Sequence, residues 1–286
     1  MRYEAPETLD AAVALLRESG HTRPLAGGTD LLVQLRAGVV EPELIVDLKK
    51  LPGLRTIAKE KNGYRIGAAV TGAELREHPE LKRVWPGVIE AANLIGSTQV
   101  QGRASLGGNL CNASPAADSV PALIAAGAVV TIIGPGGQRE LPVEAVATGP
   151  GKTSLAKGEF VTSIFLPARA PRSGDAYLRF IPRTEMDIAV VGCGVSLTLD
   201  QGGTCTAARV ALGAVAERAL LVPEAAAALV GSKLETAALE RLAAAARKAC
   251  RPIDDKRGTK AFRIDVAGVL AQRAASIAAE RARSQS

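Results

Sequence analysis

Aromatic residues and histidines are both scarce in this 286-residue chain, with aromatics at 3% and two histidines in all. A protein that stacks nucleic-acid bases on its surface needs more aromatic side chains, so we expect no nucleic-acid ligand. His21 and His78 stand in polar, turn-like contexts and are interpreted as surface imidazoles. The chain therefore has few candidates for acid–base catalysis.

The four cysteines form no Cys-x-x-Cys pair, which argues against a zinc ribbon or an iron–sulfur run, and no metal is expected on this chain. No secretory signal follows the N-terminus. No uncharged apolar stretch reaches the ~18 residues that a membrane span needs. We therefore expect a cytoplasmic protein with reduced thiols and no membrane span.

The common nucleotide and nucleophile motifs are also missing. No Gly-x-Gly-x-x-Gly occurs, and Gly151-Lys152-Thr153 lacks the leading glycine and the strand–loop–helix context of a P-loop. The serines lack the Gly-x-Ser-x-Gly elbow. A Rossmann domain, a P-loop and a hydrolase nucleophile are therefore disfavoured.

What is present is enough apolar material for a folded protein of two domains, since 47% of the residues are hydrophobic. The net charge of +6 is spread along the chain. It indicates a solvated basic surface, with attraction to an acidic partner or an anionic ligand as the alternative.

The residue spacing predicts mixed helices and strands. A first unit of about sixty residues has helices over 8–19 and 31–37 and strands over 22–25, 44–48 and 64–68. A helix over 81–94, interrupted near Pro86, then precedes a helix over 118–126 and strands over 128–133 and 160–166. Residues 168–175 are the predicted linker. The C-terminal part has strands over 177–182, 188–199 and 204–212, then helices over 223–230, 235–249 and 260–283, which indicates a compact α+β domain.

Two glycine-rich loops each stand before a helix: Ala26-Gly27-Gly28-Thr29-Asp30, and Ser105-Leu106-Gly107-Gly108-Asn109. Paired glycines allow close approach of the backbone, and the free N–H groups at a helix start suit a diphosphate. Alone, paired glycines before a helix are more often an ordinary tight turn. Together the two loops could clamp one extended dinucleotide from two sides.

Asp118 follows the second loop and offers a carboxylate to ribose or ribityl hydroxyls, or else a cap to the next helix. Because catalytic side chains are few, we expect a bound cofactor to supply the chemistry.

Residues 26–32 and 104–118 closely resemble the paired FAD loops of the flavin subunits of molybdenum hydroxylases, the xanthine dehydrogenase and CO dehydrogenase family. Residues 183–189 and 255–259 resemble two further elements of that family. The resemblance implies an α+β fold. It has a two-subdomain FAD-binding domain of the PCMH or CO dehydrogenase flavoprotein type over 1–168, with subdomains of about 1–60 and 61–168. A C-terminal α+β domain with a small antiparallel sheet and helices covers 176–286.

The same resemblance implies which residues bind FAD. Residues 24–31 and 105–109 would hold the diphosphate and its neighbours, Ile95 would lie beside the cofactor, and Asp118 would bind its sugar part. Val161 and Arg179 would be further flavin contacts, although a surface charge at a strand edge is the alternative for Arg179. The full set is Pro24, Leu25, Ala26, Gly27, Gly28, Thr29, Asp30, Leu31, Ile95, Ser105, Leu106, Gly107, Gly108, Asn109, Asp118, Val161 and Arg179.

The family also implies partners. A large subunit would carry molybdopterin, a small subunit would carry [2Fe-2S] clusters, and electrons would pass from those clusters through noncovalent FAD on this chain to a terminal acceptor. Three chain types, twice each, would form a dimer of heterotrimers, and no side chain here need be catalytic. Two alternatives are a self-contained flavin oxidase of the vanillyl-alcohol-oxidase type and a non-redox nucleotide-binding module.

We expect Gly28→Val and Gly107→Val each to abolish FAD retention, because a side chain at either glycine would occupy the cofactor's approach. The flavin absorbance of the purified variants checks this. Full flavin occupancy in both would contradict a clamp built from the two loops.

Overall fold

The computed structural model describes residues 1–18, 20–183 and 186–284. A three-stranded parallel sheet opens the chain. The first elements are β1 (Arg2–Glu4), α1 (Leu9–Arg17), β2 (Thr22–Leu25), α2 (Leu31–Arg36) and β3 (Leu44–Asp47). β3 lies in the centre and pairs with both β1 and β2. Thr8 caps α1, and the helix buries Ala12 and Leu16. The predicted first helix is thus confirmed for its described part, since Ser19 lies outside the described residues.

A five-stranded antiparallel sheet in the order β4-β5-β10-β6-β7, with helices beside it, follows. Its elements are β4 (Ile57–Glu60), β5 (Gly63–Gly67), α3 (Gly72–Glu77), α4 (Pro79–Val84), α5 (Pro86–Ala92), α6 (Thr98–Gln101), α7 (Leu106–Cys111), α8 (Ser119–Ala125), β6 (Val129–Gly134), β7 (Gly137–Pro142), a 3-10 turn (Val143–Ala145), β8 (Ala147–Gly149), β9 (Lys152–Thr153) and β10 (Phe160–Pro167). β8 and β9 form a separate two-stranded hairpin.

The strand predicted over 64–68 was assigned to the first unit, and this assignment is wrong. That strand is β5, which pairs with β10 and with β4 in the second sheet. β4 also falls inside the range predicted for the first subdomain. Its residues are half-exposed at the edge of the sheet and show no apolar alternation, so the sequence pattern does not reveal it.

The helix predicted over 81–94 is two helices. Pro79 begins α4 and Pro86 begins α5, each at the first helical position, where a missing N–H costs no hydrogen bond. None of the described helices is long and apolar enough to cross a membrane.

The C-terminal part is an antiparallel sheet covered by helices, as predicted, with four strands where three were predicted. Its elements are β11 (Ser173–Phe180), β12 (Val191–Leu199), β13 (Cys205–Gly213), β14 (Leu220–Leu221), α9 (Pro223–Ala227), α10 (Thr236–Ala249) and α11 (Lys260–Ser284). β11 begins at Ser173, so the last three residues of the predicted linker already belong to the sheet. α11 packs on β11 and β12, largely through buried alanines.

Charged side chains, some of them buried, join the C-terminal sheet to the helices of the second unit. The Asp175 carboxylate on β11 accepts hydrogen bonds from the Gly87 N–H at 2.8 Å and from Arg169 Nη1 at 2.7 Å. Burial raises the pKa of Asp175 to about 6, and the Arg169 guanidinium opposes this rise. Arg281 on α11 pairs with Glu90 on α5. Because a buried charge is costly when it loses its partner, the buried Asp175 with its two donors favours one arrangement of the two parts.

Gly174→Ala should destabilise the protein, because a Cβ there would lie 1.9 Å from the Ala278 carbonyl oxygen on α11. Overpacking of this kind costs about 1–3 kcal/mol or more, measured as a lower melting temperature. Gly136→Ala is the matched control, since its Cβ would meet no atom within 4 Å. Equal melting temperatures for the two variants would contradict the close contact of β11 with α11.

Candidate functional site

Both glycine loops line one cleft, a cavity of about 700 Å³ whose walls come from the first and the second unit. Thirteen of the seventeen predicted site residues line it: Pro24, Leu25, Ala26, Gly27, Gly28, Thr29, Asp30, Leu31, Ile95, Gly107, Gly108, Asn109 and Val161. The other four, Ser105, Leu106, Asp118 and Arg179, lie outside the lining. The sequence motifs therefore converge on one place, although they do not all face it.

The first loop, residues 26–30, runs from the end of β2 to the start of α2 and offers a row of backbone donors. Within the described residues, none of its five N–H groups donates a hydrogen bond to another protein atom. Gly28 has a positive φ of 80°, a conformation that glycine adopts without strain. Asp30 stands at the N-cap position of α2 but makes no side-chain cap. A row of free N–H groups fits the oxygens of a diphosphate.

The second loop, residues 105–109, is held from behind by its own polar side chains. Ser105 Oγ accepts the Gly108 N–H at 3.1 Å and so caps α7. Asn109 Oδ1 accepts from the N–H and the hydroxyl of Ser119, at 3.2 and 2.7 Å, which ties the loop to α8. The Gly107 N–H has no protein acceptor among the described residues and lies in the cleft wall. Ser105 thus supports the loop, while Gly107 adds a sixth free donor.

Packing around the glycines corrects the reason given above for the Gly→Val variants. At Gly28, a Cβ would meet the side chains of Leu25 at 3.1 Å and Leu32 at 3.2 Å, and the positive φ would strain the backbone. At Gly107, and at Gly27 in the first loop, the obstacle is the backbone itself. A Cβ on Gly107 would lie 2.5 Å from the Ala68 carbonyl oxygen, and one on Gly27 would lie 1.8 Å from the Arg103 carbonyl oxygen. Both would strike the protein backbone and not the open cleft. The first loop also contacts the segment that leads into the second loop, since Arg103 Nε donates to the Gly27 carbonyl at 3.0 Å.

Asp118 and Arg179 pair with each other behind the cleft. Arg179 Nη1 donates to Asp118 Oδ2 and to the Leu94 carbonyl, both at 2.8 Å, and the Tyr177 hydroxyl donates to Asp118 Oδ1 at 3.2 Å. The Arg179 side chain is 4% exposed, so the alternative of a surface charge is wrong. Asp118 makes no side-chain cap to α8, so that alternative is wrong too. Burial raises the pKa of Asp118 to about 6, and Arg179 opposes the rise.

Part of the cleft wall was missed in the sequence. Gly151, Thr153 and residues 155–160 line it, between the β8–β9 hairpin and the start of β10. The sequence around Gly151 was considered only as a possible P-loop ending. The sequence also has Gly158 shortly before the strand β10, which indicates a turn. In the structure Gly158 has a positive φ of 87°.

The two further resembling elements, residues 183–189 and 255–259, contact each other away from the cleft. Asp187 accepts from Arg183 Nε and Arg257 Nε, both at 3.1 Å, and these bonds hold the pKa of Asp187 far below its usual range. Thr184 and Glu185 lie outside the described residues. No role for this pair in the cleft follows from the contacts.

Known families match both parts of the chain. Residues 1–169 match the family described as FAD binding domain in molybdopterin dehydrogenase, and residues 176–278 match the CO dehydrogenase flavoprotein C-terminal domain. The chain belongs to this molybdenum hydroxylase flavoprotein family. The resemblance found in the sequence is thereby confirmed, together with the fold class.

Known relatives match this chain over nearly its full length. This flavoprotein is 33% identical to the carbon monoxide dehydrogenase medium chain of Hydrogenophaga pseudoflava, covering 96% of each chain. It is 32% identical to the putative xanthine dehydrogenase FAD-binding subunit of Escherichia coli, covering 96% of this chain and 94% of the relative. The reconstituted CO dehydrogenase from Oligotropha carboxidovorans superimposes with a TM-score of 0.94 at 33% identity, covering 98% of each chain.

The flavoprotein is thus an oxidoreductase subunit of the molybdenum hydroxylase family with an FAD-binding domain. This membership favours the first interpretation of the sequence over a self-contained oxidase or a non-redox module.

Gly107→Ala should weaken FAD binding and also lower the melting temperature of the flavin-free protein, because its Cβ would strike the Ala68 carbonyl. Gly108→Ala, in the next residue and also at the cleft, is the comparison for stability alone, since its Cβ would meet only Ser105 Oγ, at 3.2 Å. FAD titration and thermal melting measure the two effects. If both variants lost FAD equally at an unchanged melting temperature, obstruction of the cofactor's approach would be the correct reason, and packing would not.

Proposed function

We propose that FAD binds in this cleft in an extended conformation, with its diphosphate between the two glycine loops. One observation carries the proposal. The N–H groups of residues 26–30 and of Gly107 have no acceptor among the described residues, and all six residues line the cleft. A diphosphate taken from water needs several donors, and charge-assisted bonds from backbone N–H groups are strong. No cationic side chain is then needed inside the loop.

The predicted binding residues divide into two groups under this proposal. Those that line the cleft contact the cofactor, with residues 24–31 and 107–109 at the diphosphate and Ile95 and Val161 elsewhere along it. Ser105, Leu106, Asp118 and Arg179 support the wall. Asp118 would have to exchange its bonds with Tyr177 and Arg179 to reach a sugar hydroxyl.

We propose residues 1–168 as the FAD-binding domain and 176–286 as the C-terminal domain. The sheets favour a subdomain boundary between Asp47 and Ile57, because β4 already belongs to the second sheet.

The proposed partners are a large subunit with molybdopterin and a small subunit with [2Fe-2S] clusters, in a dimer of heterotrimers. Bound FAD supplies the redox chemistry, which is transfer of electrons from those clusters to a terminal acceptor. This chain holds and orients the cofactor and needs no catalytic side chain. A cytoplasmic location stays a prediction.

The cysteine in the lining also favours noncovalent binding. Cys111 and His21 are the cysteine and the histidine among the described lining residues. Burial raises the pKa of the Cys111 thiol to about 12, so it stays protonated at neutral pH and is a poor nucleophile toward a flavin.

The flavin-free chain should bind one FAD, and denaturation should release all of it.

In the complex with both partners, the substrate of the large subunit should reduce this flavin, and omission of the small subunit should prevent the reduction. Flavin absorbance follows both experiments. Reduction at an undiminished rate without the small subunit would contradict the electron route, and a chain that binds no FAD would contradict the whole proposal.

A further inference from the structure

Two cationic side chains hold the carbonyl groups of the first loop from outside the cleft. Lys49 Nζ donates to the Ala26 carbonyl at 3.1 Å, and Arg103 Nε donates to the Gly27 carbonyl at 3.0 Å. The next carbonyl, that of Gly28, accepts the Leu32 N–H at 3.0 Å. Neither cation is among the described residues that line the cleft. Three successive carbonyls of the loop therefore have partners on the protein side.

These contacts to the carbonyl groups also fix the direction of the N–H groups, because each carbonyl shares a rigid peptide plane with the N–H that follows it. The described peptide bonds are trans, so each carbonyl and the following N–H point in opposite directions. With the Ala26 carbonyl toward Lys49, the Gly27 N–H points away from that lysine. In the same way, the Gly28 N–H points away from Arg103. Both glycines line the cleft and neither cation does, so the two N–H groups point to the side of the loop opposite the cations.

Lys49 is itself held in place by a buried carboxylate. Asp47, 6% exposed, accepts from Lys49 Nζ at 2.7 Å and from the Lys49 N–H at 3.0 Å, and the Tyr3 hydroxyl donates to its other oxygen. Burial alone would raise the pKa of Asp47, but the hydrogen bonds from Lys49 and Tyr3 outweigh it and lower the pKa. An ionised Asp47 fixes the lysine in the position from which it reaches Ala26.

We propose that Lys49 and Arg103 are positioning residues for the cofactor diphosphate, because they hold the Ala26 and Gly27 carbonyls so that the N–H groups of Gly27 and Gly28 face the cleft. Neither side chain contacts the cofactor. The inference rests on the proposed binding of FAD in this cleft.

The test compares Lys49→Met with Lys50→Met in the full-length, flavin-free chain. Lys50 is the matched control, because it is the next residue, carries the same charge and is 61% exposed with only a loose pair to Glu7 at 3.9 Å. Lys49→Arg keeps a donor at the position. Each variant is titrated with FAD, with ADP, which shares the diphosphate, and with riboflavin, which lacks it.

Lys49→Met should weaken FAD and ADP binding by about tenfold or more, the effect of losing one well-aligned hydrogen bond to a charged group, and change riboflavin binding by less than about twofold. Lys50→Met should bind all three ligands as the wild type does, and Lys49→Arg should recover most of the FAD affinity. Unchanged FAD and ADP binding in Lys49→Met would overturn the inference. An equal loss for all three ligands would also overturn it, since that is the result of a merely structural role.

Arg103→Met keeps the inference testable if Lys49→Met does not fold, because the Arg103 side chain is exposed and its removal leaves the core intact. The same ligand pattern is expected, and unchanged FAD and ADP binding would again overturn the inference. If the wild type itself bound FAD no more tightly than riboflavin, the diphosphate clamp of the proposed function would fail, which is a separate outcome.

Discussion

The first glycine loop has carbonyls with protein partners and N–H groups without them, and the candidate site depends on this asymmetry. Three successive carbonyls accept hydrogen bonds from Lys49, Arg103 and the Leu32 N–H. These N–H groups belong to residues that line an open cleft, where an anionic ligand can take the place of water as their acceptor. The loop therefore attracts an anion through fixed dipoles, while its cations stay behind the wall.

Close contacts between backbone segments keep this loop in place. Gly27 lies against the Arg103 carbonyl, and Gly107 lies against the Ala68 carbonyl just after β5. Each contact excludes even one methyl group, so the two loops and the second sheet are held at a fixed separation. The glycines thus set the shape of the cleft from behind.

The sequence predicts the parts of the site that are local. Paired glycines before a helix are visible as a pattern, and both loops lie in the cleft as the pattern indicates. The edge strand β4 is not visible in this way, because its residues neither alternate nor run apolar. The Asp118–Arg179 pair joins residues 61 positions apart, and the Arg103–Gly27 bond joins residues 76 apart. Such partners depend on how the sheets pack, and one sequence holds no periodic signal for them.

Arg179 belongs to the C-terminal sheet, yet it reaches the carbonyl of Leu94, whose neighbour Ile95 lines the cleft. Part of the wall is therefore steadied by the other domain. A ligand that needs the whole wall binds only while the domains are docked, so by mass action its concentration stabilises the docked form over any opened one.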